Sequence, residues 1–292
     1  MRLALAQISP RLADLPFNLE LIERTALAAA DQGAELALFP ELALTGYRLR
    51  DLVPEVALRL DRNGAFLDRL AALSRRIPFV LGLVEETDEH RFHNSAVYFE
   101  DGALRFTHRK CYLPTYGMFD EAMDFAAGSR LQAFDSRFGR LGILICEDAW
   151  HCAAATVLTH DGATALLIPS VSPLRGLAAR PGEDNTTVWR SLVETTARLH
   201  TTPVALVGRS GFEDGLAYAG ASYAVGPGGE PLTAPLGVEP QLQLVTLDPD
   251  RTRSARAGYP LLRDERPDLI VRELQRAMAR RHDLPFDAEP AP

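Results

Sequence analysis

Residues 141–152 read LGILICEDAWHC, an apolar run that ends in a thiol and two carboxylates. The run predicts a buried strand over 140–146, and the letters that follow predict a helix over 149–163. Cys146 therefore stands where a strand gives way to a helix. A thiol in that place is a packed small hydrophobe, a metal ligand or a nucleophile. The rest of the chain has to decide between these three roles.

The same alternation of strand and helix patterns continues along the chain. Apolar strands are predicted over 3–8, 35–39, 78–86, 164–169, 203–208 and 241–248, and helices over 18–34, 64–76, 186–200 and 267–282. Two strand pairs are predicted, over 95–110 around Asp101-Gly102 and over 216–232 around a glycine-rich turn. These patterns indicate one α/β domain over 1–284 with a loose tail over 285–292.

Composition narrows the class of protein. The chain has 292 residues, of which 47% are hydrophobic and 24% charged, as is typical of a globular enzyme. The net charge of −8 argues against a nucleic-acid surface. No apolar run approaches the ~20 residues of a membrane helix, and the N-terminus lacks a signal-peptide pattern. Three cysteines do not make a disulfide framework, so we expect a cytoplasmic protein.

Lys110 is the single lysine of the sequence, against thirty arginines. Positive charge is supplied by arginine everywhere else. The exception is either chance or a place that needs a compact ammonium, where a guanidinium fork does not fit.

Three reactive side chains follow predicted strands: Glu41, Lys110 and Cys146. Ligands of open α/β sheets bind beyond the carboxyl ends of strands, so the three groups can share one pocket. A carboxylate can take the proton of a thiol and later give it to a leaving amine, while an ammonium and the N–H groups of the following helix stabilise an oxyanion. This chemistry is acyl transfer from an amide or nitrile, through a thioester, with ammonia leaving.

Other interpretations of these residues are simpler. Glu41 alone could be an ordinary loop carboxylate and Cys146 alone a core residue. A zinc site through Cys146, His151 and Cys152 lacks a second cluster with ligand spacing, so we expect no metal and no cofactor. Cys111 directly follows Lys110 in an extended segment, so its side chain is expected on the opposite face, where it packs against other residues.

Three segments in this order resemble the motifs of the nitrilase, or carbon–nitrogen hydrolase, superfamily: FPELALTGY (39–47), HRKCYLP (108–114) and GILICEDAW (142–150). The resemblance spans almost the whole chain. It implies that Glu41 is the general base, Lys110 the oxyanion-stabilising cation and Cys146 the nucleophile. It also implies a four-layer αββα sandwich that pairs into a homodimer or larger homo-oligomer.

Within that superfamily, residues 110–128 together with CEDAW and IPSVSP resemble the glutamine-hydrolysing domain of glutamine-dependent NAD synthetases. The resemblance implies that Glu121 orients the lysine and the scissile amide. The pocket residues that it implies or that adjoin its motifs are Tyr47 for the entrance, Tyr116 or Phe119 as a wall, Glu147 for a substrate α-ammonium, and Ser172 and Arg175 for an α-carboxylate. Glu147 could also be an ordinary carboxylate favoured at a helix N-terminus.

Two departures from that branch are visible. Arg209 stands where the relatives often carry Asn, and neither a synthetase domain nor a phosphate-binding glycine-rich loop is expected. We therefore predict an amidohydrolase that releases ammonia from glutamine or a similar amide, either alone or for a separate ammonia-accepting synthetase. The alternatives are an ω-amidase, carbamoylase or other small-amide hydrolase, and a non-catalytic partner subunit.

Overall fold

Two large β-sheets pack face to face in a computed structural model that describes residues 1–62, 64–174 and 185–282. The first sheet contains β1 (Arg2–Gln7), β2 (Leu36–Leu38), β3 (Phe79–Glu86), β4 (Phe92–Glu100), β5 (Ala103–Arg109) and β13 (Gln241–Thr246). The second contains β6 (Phe134–Ser136), β7 (Gly139–Ile143), β8 (Ala165–Ser170), β9 (Val204–Gly208) and β12 (Tyr223–Val225). A separate hairpin is formed by β10 (Ser210–Glu213) and β11 (Leu216–Ala219).

Helices α1 (Leu15–Asp31) and α3 (Ala65–Ser74) cover the outer face of the first sheet, and α5 (Cys152–His160) and α6 (Asn185–His200) cover that of the second. The other described helices are α2 (Val53–Val56), α4 (Glu121–Asp124), α7 (Pro249–Gly258), α8 (Leu261–Asp264) and α9 (Pro267–Arg281). Among the residues that the structure describes, no helix is both long and apolar enough to cross a membrane.

Three buried apolar layers hold the sandwich together. One layer lies between α1, α3 and the first sheet and includes Leu19, Ile22 and Phe79. The central layer joins the two sheets. The third lies between the second sheet and helices α5 and α6. Burial of apolar area drives this stacking, and the expected four-layer αββα architecture is confirmed.

Strand direction brings the reactive residues to one edge. Strands β1, β2 and β3 are parallel, and so are β7, β8 and β9. Strand β5 runs the same way as β3, because β4 is antiparallel to both of its neighbours. Glu41, Lys110 and Cys146 therefore follow the carboxyl ends of β2, β5 and β7.

Local structure differs from the sequence patterns at several points: β6, β10 and α7 were not predicted, and two predicted elements are changed. The helix expected over 149–163 begins at Cys152, because residues Cys146–Trp150 form a 3₁₀ turn and His151 is extended. The strand pair expected over 216–232 is reduced to one antiparallel bridge, between Val225 and Pro231, across the glycine-rich turn. Positive φ angles at Gly220 and Ala221 interrupt the run, so β11 pairs with β10, while β12 pairs with β9. The expected tail, 285–292, and Arg175 lie outside the described residues.

Gly82 in β3 allows the turn after β2 to pass close to the sheet. A Cβ there would lie 2.3 Å from Leu42 N and 2.6 Å from Pro40 O, both backbone atoms. Gly82→Ala should therefore lower the free energy of unfolding by about 1–3 kcal/mol, as overpacking does. Chemical denaturation measures the change.

The matched control is Gly258→Ala at the end of α7, where an added Cβ meets nothing within 4 Å. That variant should be unchanged or slightly more stable. Equal stability of Gly82→Ala and the parent would contradict the interpretation of this contact.

Candidate active site

Lys110 lies between two carboxylates at the shared strand edge. Its Nζ donates to Glu41 Oε1 at 2.7 Å and to Glu121 Oε1 at 2.8 Å. The lysine is 1% exposed, and both glutamates are buried as well. The only lysine of the chain is therefore an internal cation, and the two glutamates expected from the sequence both contact it.

Glu41 is fixed by two further donors. Asn94 Nδ2 donates to Oε1 at 2.7 Å, and the backbone N–H of Val171 donates to Oε2 at 2.8 Å. Asn94 was missed by sequence reasoning. Its backbone carbonyl accepts from the N–H of Lys110, so β4 holds the base candidate by a side chain and the lysine by its backbone. The signal that could have identified Asn94 is its polar side chain within a strand that is almost entirely buried.

Cys146 occupies the left-handed backbone region, with φ of 45°. Such a conformation costs energy for a residue with a Cβ, and it exposes a side chain at a sharp turn. Ser170 Oγ lies 3.4 Å from Cys146 Sγ, and the carbonyl oxygen of Val171 lies 3.6 Å from it. The end of β8 therefore contacts both the thiol and, through the Val171 N–H, Glu41. Ser170 was a second residue that the sequence did not identify.

Asp148 joins the lysine segment to the cysteine turn. Its carboxylate is fully buried and accepts from the backbone N–H groups of Ile145, Cys111 and Tyr112 at 2.9–3.0 Å. The ring Nε2 of His108 lies 2.9 Å from the same carboxylate. These contacts fix the relative positions of Lys110 and Cys146, although the two segments are far apart in sequence.

No metal site follows from this cluster. Within the described part of the chain, His108, Cys111 and Asp148 are the residues whose ligand atoms come within 4.8 Å of one another. The carboxylate oxygens of Asp148 are already engaged by four nitrogen groups. The zinc alternative through Cys146 is not formed, because His151 instead stacks on Tyr112 with 3.6 Å between ring centroids.

Tyr47 and Phe119 line the side of the site that faces Glu121. The Tyr47 hydroxyl donates to Glu121 Oε1 at 2.6 Å, and the two aromatic rings meet edge to face at 6.5 Å. A cavity of about 410 Å³ lies beside Glu121 and is lined by residues 47–51 and 118–121, among others. Tyr47, which the sequence placed at the pocket, is one of the residues that line this cavity.

Glu147 is partly exposed and accepts hydrogen bonds from the Tyr116 hydroxyl, at 2.9 Å to Oε2 and 3.1 Å to Oε1. Tyr116 also packs on Phe119 with 5.9 Å between centroids. Ser172 lies next to Val171 in the same loop. Arg175 lies outside the described residues. Of the six expected pocket residues, Tyr47, Phe119, Tyr116 and Glu147 therefore form one run of contacts, and Ser172 follows Val171 in the chain.

Electrostatics set the charge state of the site. Burial tends to lower the pKa of Lys110, but the charges of Glu41 and Glu121 outweigh it and hold that pKa well above its ordinary value. Burial, and then the charge of Glu41, raises the pKa of the Cys146 thiol, against a smaller lowering by Lys110. The resting thiol is therefore protonated at neutral pH, and it needs a base when it attacks.

The thiol of Cys146, the carboxylate of Glu41 and the ammonium of Lys110 lie at one edge of an αββα sandwich. These groups define an amide-hydrolysing enzyme that uses a cysteine. The family model for carbon-nitrogen hydrolases matches residues 2–257, and the chain belongs to that family.

Two relatives represent different branches. A glutamine-dependent NAD(+) synthetase from Synechocystis sp. is 32% identical over 240 residues, which cover 78% of this chain and 43% of the synthetase. The chain thus spans less than half the length of that relative. An N-carbamoylputrescine amidase from Solanum tuberosum is 25% identical over 88% of this chain and 89% of its own.

Among solved structures, a variant of the amidase from Nesterenkonia sp. AN1 has a TM-score of 0.77 and 29% identity, and the match covers 92% of this chain and 95% of the other. That structure shows covalent addition of the acetamide moiety of fluoroacetamide at the amidase's active-site cysteine.

The burial of Lys110 predicts that arginine cannot replace it. Lys110→Arg and Lys110→Ala should both reduce the rate of ammonia release by a factor of about 10² or more, because a guanidinium neither fits between two carboxylates nor concentrates its charge on one atom. Initial rates on the best amide substrate measure the effect.

The control is Arg109→Lys at the neighbouring, partly exposed side chain, which pairs with Glu85. It should keep activity within a few-fold of the parent. Activity of Lys110→Arg near that of the control would mean that the cation is not in the reaction.

Proposed function

We propose that the protein hydrolyses a linear amide through a thioester on Cys146 and releases ammonia, with glutamine or a glutamine-like amide as the substrate. The observation that carries the proposal is the Lys110 ammonium bound by Glu41 and Glu121 beside the Cys146 turn. The similarity to a glutamine-dependent synthetase supports the choice of substrate.

The reaction begins with a proton transfer. Glu41 accepts the thiol proton of Cys146 while Sγ attacks the carbonyl carbon of the amide. An ammonium has three N–H donors, and two of those of Lys110 are directed at carboxylates. The third donates to the oxyanion of the tetrahedral intermediate, where a fixed charge in a buried site is most effective.

The second half uses the same groups. Glu41 returns the proton to the leaving nitrogen, ammonia departs, and the acyl group remains on Sγ as a thioester. Glu41 then takes a proton from water, the hydroxyl oxygen adds to the acyl carbon, and the thiol leaves with a proton. Glu121 holds Lys110 Nζ in place throughout, and its own position is fixed by the Tyr47 hydroxyl.

Glu147 supports an α-amino substrate. Tyr116 holds its carboxylate close to the nucleophile turn, at the position that directly follows Cys146. Glutamine carries an α-ammonium a few atoms from its scissile carbonyl, and such an ammonium can replace or add to the tyrosine contact. Ser172, in the loop after Val171, is proposed to bind the α-carboxylate. Three expectations stay predictions: binding of the α-carboxylate by Arg175, assembly into a homo-oligomer, and supply of ammonia to a separate synthetase.

A second candidate function is hydrolysis of another small amide, such as an ω-amide or an N-carbamoyl compound. The similarity to an N-carbamoylputrescine amidase and to a bacterial amidase over nearly their whole lengths favours it. The Cys146, Glu41 and Lys110 chemistry would be the same. The two candidate functions differ only in the substrate group that the part of the pocket near Glu147 and Phe119 accepts.

The nucleophile and base are tested together. Cys146→Ala should abolish ammonia release while the protein stays folded, and Glu41→Gln should remove both acylation and deacylation, because one carboxylate serves each proton transfer. Single-turnover kinetics and intact-mass spectra of the acyl-enzyme measure the two steps. Cys152→Ala, at an exposed thiol, is the control and should retain activity. A normal acylation burst in Glu41→Gln would refute its assignment as base.

Substrate choice is tested with matched amides. Glutamine should be preferred over α-ketoglutaramate, which lacks the α-ammonium, by about ten- to a hundred-fold, since a charge-assisted hydrogen bond contributes about 1.5–3 kcal/mol. Glu147→Gln should remove most of that preference. The measurement is kcat/KM for ammonia release. Preference for α-ketoglutaramate or for a plain aliphatic amide would favour the second candidate function instead.

A further inference from the structure

The β10–β11 hairpin lies outside both large sheets, and a buried ion pair anchors it. Arg209, the residue before β10, pairs through Nη1 with Glu213 Oε2, and their side chains are 0% and 2% exposed. Arg209 Nη2 also donates to the carbonyl of Pro10 at 2.9 Å, and the guanidinium lies over the Tyr218 ring at 4.4 Å. A charge pair buried to this degree is costly to desolvate, and removal of one partner would leave an uncompensated buried charge.

The carboxylate of Glu213 faces the wall of the active site. Its Oε1 accepts from the backbone N–H groups of Tyr47 at 3.0 Å and Arg48 at 2.8 Å. The neighbouring Gly46 has φ of 80°, and a Cβ on it would lie 2.9 Å from Glu213 Oε2. The chain therefore makes room for this carboxylate directly beside the residue whose hydroxyl contacts Glu121.

We propose that Glu213, held by Arg209, is a positioning residue for the reaction. It fixes the backbone of Tyr47, the Tyr47 hydroxyl fixes Glu121, and Glu121 fixes the Lys110 ammonium. A displacement of about 1 Å in such a series can reduce a rate about a hundred-fold. The inference rests on the proposed amide hydrolysis and extends it to two residues that do not touch the reacting atoms.

A neutral side chain at position 209 could not supply the charge that pairs with Glu213. The hairpin of this chain therefore positions Tyr47 by a contact that uses the guanidinium.

The experiment compares two double variants that both lack the ion pair. Arg209→Met/Glu213→Gln keeps an oxygen that can accept from the N–H groups of Tyr47 and Arg48, whereas Arg209→Met/Glu213→Met does not. Replacing both charges at once avoids an unpaired buried ion. The first should lose less than about five-fold in kcat, and the second about ten- to a hundred-fold, with a smaller change in KM.

One background and one control variant separate an effect on positioning from an effect on stability. In a Tyr47→Phe background the difference in kcat between the double variants should disappear, because the hydroxyl that transmits it is absent. Glu100→Gln is the matched control: Glu100 is a buried carboxylate paired with Arg137 at the opposite edge of the sheet. It should lower the melting temperature with kcat within two-fold of the parent.

A second readout does not depend on the substrate. The rate at which iodoacetamide alkylates Cys146, with the exposed Cys152 as internal reference, should fall several-fold in Arg209→Met/Glu213→Met, because a displaced ammonium favours the thiolate less. If the parent releases no ammonia from any amide, the proposed function fails, and alkylation still reports on positioning. Equal kcat and equal alkylation in the two folded double variants would overturn the inference. Full kcat in Tyr47→Phe would overturn it too, whether or not either double variant folds.

Discussion

The ammonium of Lys110 between Glu41 and Glu121 is the interaction on which the site depends. Two buried carboxylates close enough to share one donor would repel each other without a cation between them, and removal of one partner from such a group typically costs about 3–5 kcal/mol. Asn94 and the Val171 N–H donate to the two oxygens of Glu41, and the Tyr47 hydroxyl donates to Oε1 of Glu121. Each of these contacts ties a different segment of the chain to the same charge.

The sandwich is what makes that arrangement possible. Glu41 and Lys110 belong to the first sheet, whereas Cys146 belongs to the second. The apolar layer between the sheets aligns their carboxyl ends, and two polar links then fix the register across the gap. Asp148 binds backbone N–H groups on both sides, and the end of β8 contacts both the thiol and Glu41. The site is therefore complete only when the sheets are packed.

Sequence patterns were sufficient for the residues that act through their own chemistry. Apolar runs located most strands of the two large sheets, Asp101-Gly102 located the β4–β5 hairpin, and the strand ends located the thiol, carboxylate and ammonium. The supporting residues were not visible, because their roles depend on partners distant in sequence: Asn94 lies 53 positions from Glu41, and Val171 lies 130 positions from it. The same holds for Glu213, because no sequence pattern links it to its partner Tyr47. Periodicity reports which side of an element is buried, but not what it meets there.

The charge balance among Glu41, Glu121 and Lys110 explains why the resting thiol of Cys146 is not ionised. With Cys146 neutral, two ionised carboxylates and one ammonium leave one net negative charge in a buried site. A thiolate would add a second, which is why burial and Glu41 raise the thiol pKa despite the nearby lysine. If the proton moves to Glu41 as sulfur attacks, the total charge stays constant, and the new negative charge appears on the oxyanion. The site is thus arranged to stabilise the charge at the oxyanion rather than at the sulfur, which favours the transition state over the resting enzyme.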